Sequence, residues 1–125
     1  MRNTLNDKGT KDSVTITKHL DGARNTVIYV TGDIKSEIDS TFSLIDLQSL
    51  VGSPKSLRLD NMCFLIEDGL RIIVSYKDEP YLLPISGKGK IELDLFGGVV
   101  GHDMNITLKG VGSFFLGIDI SKLGV

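Results

Sequence analysis

SLRLDNMCFLIEDGLRIIVSY, residues 56–76, decides the fold. Leu57, Leu59, Cys63 and Leu65 share one face of its first half, and Met62, Phe64 and Ile66 fill the opposite face toward its end. A period of two is the pattern of a half-buried strand, so Cys63 is expected inside, among Leu59 and Leu65. Asp68 and Gly69 then supply turn chemistry, and Leu70, Ile72, Val74 and Tyr76 resume the same period. The segment therefore predicts two antiparallel strands joined as a hairpin.

The same grammar extends in both directions. VTITKHL (14–20) places Val14, Ile16 and Leu20 on one face, DGARN (21–25) turns, and TVIYVTG (26–32) reads as the second strand of a hairpin, buried on both sides. DIKSEIDST (33–41) is expected as a charged connection with room for a short helical turn, and FSLIDL after it has strand content. Asp46 is placed to cap one helical turn, LQSL, ending at Gly52 before Pro54. KDEP turns, PYLLPIS is an edge strand because Pro80 and Pro84 cannot donate to a ladder, and SGKGK turns again. IELDLF, NITLKG and SFFLGIDI complete eight to nine short strands with no internal repeat. The expected class is all-β, an antiparallel β-sandwich or jelly-roll with at most one short helical turn, with a closed barrel as the alternative. Residues 1–13 are polar and without periodicity and are expected to form a flexible arm, leaving 14–125 as a single domain.

Composition narrows the function. The chain has 125 residues, 41% hydrophobic and 24% charged, with net charge −2 and no apolar run near the roughly 20 residues of a spanning helix, so no membrane partner is expected. No cluster of Lys or Arg and few aromatics argue against direct nucleic-acid binding. A polar start without a secretory segment and a single Cys63 fit a reducing cytoplasm. Cys63 reads as a small core hydrophobe, and His19 and His102 stand far apart without ligand spacing. No catalytic residue, metal or cofactor is expected; a small Cys/His hydrolase, or a metal site using both histidines and Asp103, is the weaker alternative. GKGK (87–90) and the glycines after Phe96 lack the helix that a phosphate loop requires, so Gly97 and Gly98 are read as a bulge or bend ending a core strand, IELDLF.

Taken together, HLDGARNTVIYVTG, SLRLDNMCFLIEDGLRIIVSY, GKGKIELDLFGGV and ITLKGVGS resemble a family of small virion structural proteins of tailed bacteriophages, many of them marine. In that family a D-G-[AP]-R-N turn precedes a strand, and a G-x-G-K/E segment leads into a strand ending F-G-G. The resemblance spans residues 18 to 120, with departures at SYKDEPYLLP and VVGHDMN. It implies a non-enzymatic part of the particle, a capsid decoration or cement protein on the capsid exterior, assembled in the host cytoplasm. Its implied partners are the major capsid protein lattice and neighbouring copies of itself; a neck, tail or receptor-binding module is the alternative. Arg24, Asn25, Phe96, Gly97, Gly98 and His102 are the candidates for shaping the assembly surface, set against turn chemistry plus a core Phe.

Overall fold

A computed structural model describes residues 2–6, 12–77 and 82–124. Within them run nine strands: β1 (Arg2–Asn6), β2 (Ser13–Asp21), β3 (Asn25–Ile45), β4 (Ser56–Ile66), β5 (Leu70–Tyr76), β6 (Leu82–Ile85), β7 (Lys88–Glu92), β8 (Val99–Gly101) and β9 (Met104–Leu123). Every pairing is antiparallel, as expected for the all-β sandwich. Two short 3₁₀ turns interrupt the strands, Leu47–Ser49 and Leu93–Phe96. The first carries the expected cap, Asp46 accepting from the Gln48 amide at 3.0 Å; the second falls where a strand was expected.

β3 and β9, of 21 and 20 residues, form the spine and pair from Asn25–Ser121 to Ile45–Met104. Straight strands of that length would run about 65 Å, far beyond a domain of this size. Both therefore bend where the register breaks between Ile34 and Ile38, opposite Gly110 and Gly112. The first half of β3 and second half of β9 join β1, β2, β4, β7 and β8 in a wide layer; their other halves join β5 and β6 in a narrow one. Ile28, Val30, Leu116 and Ile118 of the wide layer meet Ile72, Val74, Ile106 and Leu108 of the narrow layer in one buried cluster. Non-directional burial of apolar surface is what holds the two layers together.

The bend corrects three expectations. DIKSEIDST is not a connection: β3 runs through it, and at the kink Asp12 takes the place of a ladder partner, its Oδ1 accepting from the amides of Lys35 (2.6 Å) and Ser36 (3.2 Å). NITLKG and SFFLGIDI are one bent strand, not two. The Asp68–Gly69 turn does not close a hairpin either, because β4 and β5 share β9 as their partner on opposite sides of its kink and do not pair with each other. The turn instead carries the chain between layers, tied by Glu67 N to Ser113 O (3.0 Å) and Val111 N to Gly69 O (3.0 Å).

Elsewhere the sequence reading holds or needs smaller changes. β2 and β3 form the expected hairpin around a turn closed by Gly22 N to Asn25 O at 2.9 Å, but a bulge between Lys18 and Leu20 turns Leu20 outward. Among the described residues β6 pairs only with β5 and is an edge, while Pro80 and most of KDEP lie outside them. Residues 2–6 of the expected arm form β1 on the edge of β2, a role that needs only backbone hydrogen bonds and so tolerates polar residues.

Candidate assembly surface

Because both spine strands fold back at the kink, all four of their ends lie at the opposite, open end of the sandwich. Its closure rests on Lys122. The Lys122 side chain has no solvent exposure, and its ammonium donates to Asp21, to Gly22 O (2.5 Å) and to Val51 O (2.8 Å). Three acceptors use all three of its protons. Burial pushes the Asp21 carboxyl up, but hydrogen bonds from Lys122 and the Val51 amide outweigh this and hold it below the usual carboxylate range.

The expected surface residues lie at or beside this end. Arg24 is exposed, and its carbonyl accepts from the Lys122 amide at 2.7 Å; Asn25, half-buried, starts β3. His102 is exposed in the β8–β9 turn, which Asp103 pins by accepting from Leu47 N through Oδ1 (2.9 Å) and from Lys77 N through its carbonyl (2.8 Å).

FGG behaves differently from its sequence reading. β7 pairs with Asn61–Leu65 and β8 with Leu57–Leu59, and opposite the β4 bulge at Asp60 the intervening chain leaves the edge as the second 3₁₀ turn. Gly97, at φ 90°, ends that turn with its amide on Asp94 O (3.1 Å), and the Gly98 amide returns to Leu93 O (2.8 Å). Such a left-handed residue is the usual glycine stop of a helical turn. Leu93 packs on the core, but Leu95 is 73% and Phe96 87% exposed, with Val100 exposed nearby in sequence. The core-strand reading of IELDLF and the core reading of Phe96 are therefore overturned: a helical turn has no period of two to keep alternate residues inside.

Gly98 has a separate reason to be glycine, since a Cβ there would overlap the Arg58 side-chain stem. Arg58 is oriented by Nε to Asp60 Oδ1 (2.6 Å) and Nη2 to Ser121 Oγ (3.2 Å), while Ser121 Oγ donates to Asp60 Oδ2. Asp60 holds the guanidinium pKa above its ordinary value. Arg24, Arg58, Ser121, Lys122, Leu123 and Gly124 line one open cleft of about 420 Å³.

The β4 bulge also moves Cys63. It reverses the side-chain phase after Leu59, so Met62 and Ile66 are buried while Cys63 is exposed and Leu65 is 58% exposed. The expected core position of Cys63 is corrected by this one inserted residue; the signal was already present in Met62, Phe64 and Ile66. On the outer face of the wide layer, register places Thr17, Tyr29, Gly117 and Cys63 in one row and Thr31, Phe115 and Leu65 in the next. His19 stacks on Tyr29 with centroids 4.8 Å apart, three strands from Cys63, a separation of roughly 14 Å at ordinary strand spacing that does not bring thiol and imidazole together. Among the described residues no group of three or more His, Cys, Asp or Glu is placed to hold a metal ion. We expect native protein to react stoichiometrically with a thiol reagent such as DTNB within minutes, at the rate of denatured protein to within about tenfold. Labelling only after denaturation would return Cys63 to the core.

No family model and no curated protein matches the chain. Among solved structures it is similar to a cupin superfamily protein from Desulfitobacterium hafniense DCB-2, with 11% identity over 88% of this chain and 77% of that one and a TM-score of 0.37. The cupin domain of Schizosaccharomyces pombe Cnp3 gives 10% identity, 98% and 86% coverage and a TM-score of 0.43. Hydroxypropylphosphonic acid epoxidase from S. wedmorenis gives 9% identity and a TM-score of 0.36, with 98% of this chain spanning 55% of that protein.

Proposed function

We propose that this chain is a non-enzymatic structural protein of a bacteriophage particle, one that attaches to the assembled head and stabilises it. The resemblance of its DGARN, GKGK and FGG segments supplies the particle, and one observation supports attachment: Phe96 and Leu95 stand out from the sandwich on a turn fixed by two glycine amides. An aromatic anchor on a rigid base, with Arg58 against the same turn, fits the aromatic and arginine enrichment of interface hot spots. The partners are the capsid lattice and neighbouring copies, and repetition around a symmetric shell multiplies a modest contact into stable attachment. A neck or tail position would use the same anchor and differs only in where on the particle the chain is found.

The test is add-back to heads assembled without the protein. Wild-type chain is expected to co-sediment with heads at high, saturable copy number, and Phe96→Asp combined with Leu95→Asp to raise the concentration needed for half occupancy by about tenfold or more. Both side chains are exposed, so the variant should melt like wild type. Full occupancy by the variant would remove the anchor, and absence from heads with binding to tails would move the chain to the alternative position.

A further inference from the structure

We propose that the cleft between Arg24 and Arg58 is an oxyanion-binding site that takes a carboxylate or phosphate group. This deepens the docking proposal by naming the chemistry a partner would present, but it does not depend on it, because the site is testable in the isolated chain.

The inference starts from unequal use of the charges. Lys122 is buried and fully engaged with Asp21 and two carbonyls, so it fixes the cleft wall and offers nothing to a ligand. Arg58 spends Nε on Asp60 and Nη2 on Ser121, which fixes the plane of its guanidinium, and Nη1 has no partner among these bonds. Its side chain is 39% exposed, against 10% for Asp60, so the cation of this pair faces the cleft and the carboxylate lies behind it. Arg24, across the cleft on the β2–β3 turn, is exposed. Lys55 adds a further cation, its stem lying where a Gly124 Cβ would be.

Among the described residues, Arg24, Arg58 and Lys122 line the cleft and Lys55 stands beside it; Asp21 and Asp60 are committed to Lys122 and Arg58, and Asp94 is a third carboxylate close enough to act on the Arg58 charge. Four cations against these three carboxylates leave a single positive charge in surplus, in a chain whose net charge is −2. The walls are held by Lys122 N to Arg24 O (2.7 Å) and Lys55 N to Leu123 O (2.9 Å). A guanidinium already oriented loses little freedom on binding, and planar forks suit carboxylate and phosphate oxygens. Gly98 is needed for the same reason: only without a Cβ can the Arg58 stem pass over the FGG turn.

The experiment is an amide NMR titration of the full chain at constant ionic strength, with inorganic phosphate in one arm and N-acetylglutamate amide in the other. Both arms are expected to give saturable shifts at Arg24, Arg58 and Ser121–Gly124, with half-saturation in the millimolar range. Arg24→Gln, an exposed change, is expected to weaken binding about tenfold, and Arg58→Lys, which keeps charge but removes the fork, to weaken it in both arms. Saturation by the carboxylate alone points to an acidic side chain of a partner, and by phosphate alone to a phosphate ligand. Shifts that do not saturate, that spread equally to Lys88, Lys90 and Lys109, or that survive Arg24→Gln unchanged would overturn the site. Failure of head binding with saturation intact would sink the docking proposal and leave this one standing.

Discussion

Lys122→Met is expected to destabilise the fold by about 3–5 kcal/mol, the usual cost of removing one partner from a buried ion pair. For a chain of this length that is a fall in melting temperature of roughly 10 °C or more. Methionine keeps the apolar stem but strands three acceptors: Asp21, Gly22 O and Val51 O. Asp21 would keep its amide bond from Val51 and its weaker pairing with Lys18 at 3.5 Å. Adding Asp21→Asn should therefore recover part of the loss, and a double-mutant cycle should give a coupling of about 1–3 kcal/mol. The pH dependence follows from the direction of the Asp21 shift. Its folded-state pKa lies below the unfolded value, so its contribution is complete above about pH 4 and is lost as pH falls through the folded value. Wild type should thus lose stability in acid more steeply than the double variant. Equal melting of wild type and Lys122→Met would show that the open end is not held this way.

How much of this was legible in residues 56–76 depends on the physics each feature uses. Alternation is local, so β4, β5 and the β2–β3 hairpin could be read from it directly. The partner of a strand is not local: Asp68–Gly69 has the composition of a hairpin turn, and only the shared pairing of β4 and β5 with β9 makes it a crossing between layers. Single inserted residues were equally hard to read. Bulges after Lys18 and Leu59 reversed the faces of Leu20 and Cys63, and what betrayed the second was the appearance of Met62 and Ile66 in the opposite phase. For the surface, Arg24 and the FGG segment were identifiable from the sequence, but Arg58 was not. Its role depends on Asp60 and Ser121, and Ser121 lies 63 residues away in sequence.

Gly110→Ala is expected to be the most damaging small substitution in the chain, costing about 4 kcal/mol or more and leaving little soluble folded protein. Two costs coincide there. The residue sits at φ 108°, which side-chain-bearing residues rarely adopt, and an added Cβ would overlap the carbonyl oxygen of Gly69. That carbonyl cannot step aside, because it accepts the Val111 amide at 3.0 Å and so fixes the crossing between β4 and β5. Relief would require opening the kink of β9, and with it the angle that brings the two layers face to face. Gly87→Ala is the control: its φ is 69°, but nothing lies within 4 Å of the new Cβ, so only backbone strain of about 1–2 kcal/mol remains. Chemical denaturation of the two variants separates these contributions. If Gly110→Ala unfolds no more easily than Gly87→Ala, the kink is set by the surrounding strands rather than by its glycine, and the two-layer fold does not depend on the close approach of β9 to the 67–69 turn.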